Sequence, residues 1–286
     1  MIEQQKLKSR GVFIVCLLLS LLIVIGYCNW KYELIAVHPF YIDNQHDLKV
    51  MTWNVHCPEG ADGNRQRAIA ELILNEDADF VHLNEYNQDS CFVMDSLIKM
   101  RYSFTEEYQS RKRCGDIFYS KRAMFNSGHV YIPIHGKSIQ TIKATIALGD
   151  DSAQIFGVHM ASNRYSGGVL MTSDTTSYEK YKDAQEQRCF QAHWTKKTVL
   201  ESKHPVIVMG DMNDFNCSAP LDTLVSCGLR DSWWEGGNGY GHTYHSGWMQ
   251  LRIDHILHSK ELKLKSIKVI DTKLSDHNPV VAGFSL

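Results

Sequence analysis

Six apolar segments of this 286-residue chain carry, at or beside one end, a side chain that can do chemistry. Residues 50–53 run into Asn54, 80–84 into Glu85, and 155–158 into His159. Residues 206–210 run into Asp211, with Asn213 two positions on. Asp254 lies inside the apolar stretch 253–256, and Asp276 and His277 precede the last one. A single Asn or Asp in such a place is ordinarily a turn former or a cap. Six together point to one site, because strand ends open onto loops where reacting groups gather. Carboxylates and amides without cysteine suit Mg2+ or Mn2+, hard cations that take oxygen ligands. Phosphoryl transfer needs neutralised phosphate oxygens, an aligned water and a stabilised leaving oxygen. On this chemistry Glu85 holds the metal, Asp211 orients or deprotonates water, and two histidines donate to phosphate. A carboxylate partner keeps each histidine oriented and basic.

The elements that must position these groups follow from apolar periodicity. Strands are expected at 48–55, 80–83, 116–120, 129–134, 139–148, 153–159, 206–209, 252–258, 264–270 and 279–284. Helices are expected at 65–75, 90–100 and 178–201, the last long, charged and amphipathic. Many strands and few helices in irregular alternation predict a mixed-sheet α/β sandwich rather than a doubly wound fold. Two Gly-rich stretches, Ser166-Gly167-Gly168 and 236–241, neither follow a strand nor open a helix, so a nucleotide cradle is not expected.

Composition narrows the class. The chain is 44% hydrophobic and 22% charged, ordinary for a globular protein with a sizeable core. Its formal net charge is -2. Four basic and three acidic residues precede Asp47, which leaves the remainder at -3. A protein that grips nucleic acid by phosphate neutralisation alone is usually basic, so any nucleic-acid contact here is local. Arg111-Lys112-Arg113 and Lys121-Arg122 are the basic clusters that could meet an anionic substrate or lipid headgroups, or simply form solvated loops.

Residues 1–31 read as a cytoplasmic tip and a transmembrane anchor or signal segment. Lys6, Lys8 and Arg10 precede a charge-free run over 11–30, about the length of helix that crosses a bilayer. The basic flank favours a cytoplasmic N-terminus, with the rest on the periplasmic or extracellular side. An uncleaved anchor is the leading reading. A cleaved signal peptide and a lipoprotein attached at Cys28 are the alternatives. Residues 32–46 read as a linker and 47–286 as one catalytic domain. Of the eight cysteines Cys16 and Cys28 belong to the anchor, and export permits disulfides among Cys57, Cys91, Cys114, Cys189, Cys217 and Cys227. Cys217 and Cys227 are close enough in sequence to pair, and buried thiols are the other reading.

Taken in order, the motifs are Trp53-Asn54, Asn84-Glu85, Gly157-Val158-His159, Gly210-Asp211-Met212-Asn213, Arg252-Ile253-Asp254-His255-Ile256 and Ser275-Asp276-His277. This set resembles the endonuclease/exonuclease/phosphatase superfamily, which includes pancreatic-type deoxyribonucleases, apurinic endonucleases, neutral sphingomyelinases and inositol polyphosphate 5-phosphatases. The resemblance runs from about Leu48 to the C-terminus. It implies a four-layer sandwich, two mixed β-sheets face to face with helices outside. It also implies a metal site of Asn54, Glu85 and Asp276 for Mg2+ or Mn2+, with catalysis by His159, Asp211, Asn213, Asp254 and His277. Within it, Asp254 orients His277, and Thr243, Tyr244 and Arg252 line the substrate wall.

Two departures from the family pattern matter. Asn84 stands where Gln is more usual, and His56 stands where apurinic endonucleases carry an acid. The second argues against the apurinic branch, and the strand-end His159 favours the deoxyribonuclease and sphingomyelinase side of the family. Glu106, Glu107 and Asp116 are the candidates for the acid that orients His159. The implied function is metal-dependent hydrolysis of a phosphate ester, foremost a phosphodiester of nuclease type. A lipid or sugar phosphate hydrolase is the alternative, and a non-catalytic phospholigand-binding module is the rival from another class. No obligate protein partner is implied.

Overall fold

The computed structural model describes residues 2–32, 34–38, 45–56, 62–109, 115–134, 137–162 and 175–286, with side chains from Val15 onward except 32, 109, 133–134, 137–140 and 175–177. The elements in chain order begin with α1 (Ile2–Tyr32), β1 (Leu48–Asn54), α2 (Gly63–Glu76), β2 (Phe80–Tyr86) and α3 (Phe92–Lys99). Then come β3 (Phe104–Gln109), β4 (Gly115–Ser120), β5 (Met124–Ile134), β6 (Lys137–Leu148), β7 (Asp151–His159) and α4 (Thr175–Leu200). The last are β8 (Val206–Asp211), α5 (Ala219–Val225), β9 (Leu229–Asp231), α6 (Ser232–Gly236), β10 (Asp254–Ser259), β11 (Lys263–Val269) and β12 (Val280–Ser285).

Among the described residues these strands form two six-stranded sheets, ordered β11-β12-β1-β2-β4-β3 and β9-β10-β8-β7-β6-β5. Each is mixed. The β1–β2 pair is parallel in the first sheet and the β7–β8 pair in the second, while the other pairings are antiparallel. Alternation of side chains along a strand splits each sheet into two apolar faces. In β1, Leu48 and Val50 join Phe80 and Phe118 against Ile142, Ile155, Ile207 and Met209 of the second sheet. Met51 and Trp53 point the other way and pack with Ile69 and Ile73 of α2 and Met94 and Ile98 of α3. On the far side, Val206 and Val208 of β8 meet Ala192 of α4 and Leu221 and Leu224 of α5. The layers are helices, sheet, sheet, helices, so the α/β sandwich expected from the sequence is found.

The expected strands are present with shifted bounds, and the two six-stranded sheets gain two more. β3, with the polar sequence Phe-Thr-Glu-Glu-Tyr-Gln, is an edge strand paired only with β4, where tertiary pairing overrides weak propensity. β9 is three residues long, too short for a periodic signal. Residues 32–46 are not wholly a linker. Ala36–Val37 pairs antiparallel with Asn238–Gly239, and Ala36 is buried.

α1 is helical throughout its 31 residues, and the apolar side chains described along it are exposed. Among the described residues no helix is long and apolar enough to cross a membrane, and they give the expected span no support. Cys217 and Cys227 are not joined to each other: the Cys217 thiol donates to the Lys31 carbonyl at 3.4 Å and the Cys227 thiol to the Leu224 carbonyl at 2.8 Å. Cys91, by contrast, is disulfide-bonded. Lys121 bonds Asp77 at 2.7 Å, and Arg122 donates to the Asp47 carbonyl at 2.6 Å, so both brace loops of their own domain. Arg111, Lys112, Arg113 and the 166–168 stretch lie outside the described residues.

Two glycines beside the strand ends leave no room for a side chain. A Cβ on Gly157 would come within 2.7 Å of the buried His82 ring, and one on Gly210, at φ +142°, within 2.0 Å of the Val158 carbonyl oxygen. Gly210→Ala therefore meets rigid backbone in a conformation closed to L side chains. Thermal or denaturant unfolding is expected to show a loss of at least about 2 kcal/mol, or failure to fold. A variant with wild-type stability contradicts this account of the close strand contact.

Candidate active site

The parallel pairs place the site. Strands that run side by side in one direction end on one edge, and here Asn54 is level with Asn84 in the first sheet and His159 with Asp211 in the second. β10 enters antiparallel, so its first residue, Asp254, is level with Asp211. The loop before β12 brings Asp276 and His277 to the same edge, where the Trp53 indole donates to the His277 carbonyl at 2.8 Å. The Ser275 hydroxyl holds that loop by donating to the Asn54 carbonyl at 2.8 Å. Arg65 of α2 adds a brace, donating to the Leu274 carbonyl at 2.5 Å and the Val55 carbonyl at 2.6 Å.

Asp211 is the centre. One oxygen, Oδ1, accepts the Asn213 backbone N–H at 2.8 Å. The other, Oδ2, accepts Asn54 Nδ2 at 3.1 Å and lies 3.8 Å from both His159 Nε2 and His277 Nε2. Asn54 Nδ2 is also 3.1 Å from Glu85 Oε1. His277 Nδ1 bonds Asp254 Oδ2 at 2.8 Å. Of the three acids proposed for His159, Asp116 faces it, with Oδ1 3.8 Å from Nδ1. Glu106 and Glu107 instead meet His129, through a side chain and a backbone carbonyl respectively.

Burial and neighbouring charge divide the titrating groups. Burial raises the Asp116 carboxyl to about 6 against the pull of His159. Burial, with Asp254 beside it, also raises Asp211. Burial works against charge on Glu85 as well, yet the His56 bond, the His159 charge and Asn54 hold it at about 2. Burial would lower His277, but Asp254 and Asp211 carry it up to about 10. The same contest raises His159, where Asp116 leads Asp211 and Glu85. His82, fully buried beneath them, is driven down to about 3 by burial and then by His159.

Three groups at the site have a left-handed backbone without being glycine: His56 at φ +40°, Glu85 at +54° and Asn213 at +51°. Strain of this kind persists where the surroundings over-determine it and clusters at functional sites. The register of β2 against β4 shifts between Asn84 and Tyr86, which turns the Glu85 carboxylate toward the edge. His56 Nδ1 meets that carboxylate at 3.1 Å. His56 and Asn84 were visible in the sequence only as departures from a pattern, and neither signalled its role.

Two expected substrate contacts lie inside the fold. Thr243 is fully buried, and its hydroxyl accepts the backbone N–H groups of Ile253 and Asp254, each at 3.0 Å. Arg252 is buried and ion-paired to Asp231 at 2.8 Å. Neither faces solvent, and Thr243 holds the Asp254 backbone from behind. Tyr244 does flank the site, its ring 4.9 Å from that of His277.

The donors fit a divalent cation. Asp211, Asp254 and His277 offer ligand atoms within 4.8 Å of one another. Because His277 Nδ1 is held by Asp254, that triad also reads as a positioned acid–base pair. Glu85, Asn54 and the half-buried Asp276 form the neighbouring oxygen-rich set, and the whole cluster carries more carboxylates than imidazoles.

Asp254→Asn tests the electrostatics. A histidine raised from 6.5 to about 10 contributes stability present in full below pH 6.5 and lost as pH rises through 10. In the variant, NMR titration of the His277 ring is expected to show a fall of at least about two pH units, with stability flattened across that window. An unmoved titration refutes the pairing.

The Endonuclease/Exonuclease/phosphatase family model matches residues 51–277. No curated protein sequence matches the chain significantly. Among solved structures, truncated TDP2 from Caenorhabditis elegans is 19% identical, with 84% of this chain and 97% of that one covered at a TM-score of 0.65. The 3'-5' exonuclease NExo from Neisseria meningitidis is 19% identical over 84% and 100%, at 0.63. A family protein from Bacteroides thetaiotaomicron is 20% identical over 83% and 97%, at 0.66. These likenesses share the fold. With the family model covering most of the chain and its limits bracketing the strand-end residues from β1 to His277, this chain belongs to the endonuclease/exonuclease/phosphatase family.

Proposed function

We propose that the domain hydrolyses a phosphodiester by metal-assisted attack of water. The observation that carries the reading is the convergence of Asn54 Nδ2 and two imidazole Nε2 atoms on one oxygen of Asp211. Asp211, raised by burial, is suited to take a proton from water at Oδ2, while the Asn213 N–H fixes its other oxygen. His277, kept protonated by Asp254, and His159, facing Asp116, are donors for the phosphate oxygens as charge builds there. Asn54, Glu85 and Asp276 would hold the Mg2+ or Mn2+, which when bound neutralises phosphate charge and steadies the leaving oxygen. The Neisseria neighbour, described in a second structure as a 3' phosphatase bound to a product DNA hairpin, supports a nucleic-acid substrate for that protein. We extend the substrate class to this chain as a nuclease-type phosphodiester.

A second reading, lipid phosphate hydrolysis, is favoured by one feature. The charge-free run 11–30 of the sequence reads as an anchor that would hold the domain beside lipid. The disulfide at Cys91 supports an exported, oxidising location.

With Mg2+ or Mn2+, turnover of bis-p-nitrophenyl phosphate is expected and is abolished by chelation. His277→Ala and Asp211→Asn are each expected to lower kcat by about 10²-fold or more with the fold intact by circular dichroism. Turnover that survives chelation refutes the mechanism. DNA, RNA, sphingomyelin and inositol phosphates offered in parallel separate the two substrate readings. After cell fractionation, the full chain is expected in alkali-washed membranes and open to protease from outside. Recovery in the washed supernatant refutes the anchor.

A further inference from the structure

The pairing of Asp254 with His277 uses only half of the carboxylate. Oδ2 takes the 2.8 Å bond, whereas Oδ1 is buried with no hydrogen-bond partner among the described residues. Arg252, two positions earlier, has the matching feature. Its Nη1 is committed to Asp231, and its Nη2 is buried with no partner. Both residues line one small pocket with about 10 Å3 of room for a water-sized guest, with Thr243 and Val280 in the wall.

The cavity selects its occupant. Its volume is that of a single water, and such a water is held where two or more polar groups face it. A cation is disfavoured beside the guanidinium, and an anion beside Asp254 and Asp231. An apolar guest would leave a donor and a carboxylate oxygen unsatisfied in a closed space, which is costly. Water alone meets both: it accepts from Arg252 and donates to Asp254. The Thr243 hydroxyl accepts two backbone N–H groups and retains a proton to donate as a third contact.

We propose that one water molecule is bound in this cavity between Arg252 Nη2 and Asp254 Oδ1, and that through it Arg252 is a positioning residue for the Asp254–His277 pair. Asp231 makes this effective. It accepts the Trp233 N–H at 2.8 Å at the start of α6 and pairs with Arg252, so the guanidinium is rigidly held. The water transmits that rigidity to Asp254, whose other oxygen sets the tilt of the imidazole. Supporting groups of this kind typically change activity by about 10–100-fold when removed.

The kinetic part rests on the phosphodiesterase reading; the binding of water does not. A crystal structure that resolves ordered solvent is expected to show a density peak about 2.7–3.2 Å from both atoms. With bis-p-nitrophenyl phosphate, Arg252→Met is expected to lower kcat by about 10-fold or more with KM within about twofold, and Arg252→Lys to recover part of the loss. Val280→Ile, which narrows the cavity without touching either polar group, is expected to lower kcat in the same sense. The proposal is overturned by an empty peak position with both side chains as described, by an ion there, or by folded Arg252→Met with wild-type kcat. Should wild-type protein turn over none of the phosphoesters, the functional reading fails, and the density still decides the water.

Discussion

The site depends on one buried amide. Asn84 lies in β2 with no exposure, yet it reaches three strands. Its Nδ2 donates to Asp116 Oδ1 at 2.6 Å and to the Val158 carbonyl at 3.1 Å, and its Oδ1 accepts the Asp211 N–H at 3.0 Å. The first bond fixes the acid that faces His159. The other two cross between the sheets and set how the strand ends carrying His159 and Asp211 lie against the end carrying Glu85. A buried amide satisfied on both ends specifies one arrangement, because any slip between the layers leaves polar groups without partners. The two glycines beside it permit the sheets to meet, since the His82 ring of the other sheet occupies the space a side chain would need.

Around that amide, burial opposes charge on Glu85, Asp116, Asp211, His82, His159 and His277, and the outcome depends on what each touches. Glu85 stays ionised because His56 and Asn54 bond it, while Asp116 rises because burial outweighs its single amide partner. His277 gains charge from Asp254, whereas His82, remote from any carboxylate bond, loses it. Groups of one chemical type thus take different protonation states within one cluster, the condition for dividing acid and base roles. The excess of carboxylate over imidazole is the electrostatic counterpart of a divalent cation.

Much of this was legible in the linear chain. The short apolar runs at 48–55 and 206–209 marked strands, and the polar residues ending them marked the site edge. Other features were not. The β3 strand has no apolar alternation and exists because β4 offers it a partner. Glu85 sits at a register shift, which no propensity reports. Thr243 and Arg252 belong to recognisable motifs and were expected at the substrate, but their position in the sequence does not say which way they face. The layer of helix and strand around Asp231 turns them inward.

The sequence by itself determined which residue types stand at the strand ends, the mixed sandwich that holds them and the hard-oxygen chemistry they share. These are local properties, set by side-chain type and by the alternation of a strand. Tertiary structure alone decided the pairs: Asp116 with His159, His56 with Glu85, Arg252 with Asp231, and both imidazoles on Asp211 Oδ2. Each joins residues distant in sequence or in different layers, so its distance is set by sheet register and by the packing of one sheet on the other. Exposure follows from the same packing, which is why the residues that support the site could be separated from those that face its substrate only in three dimensions.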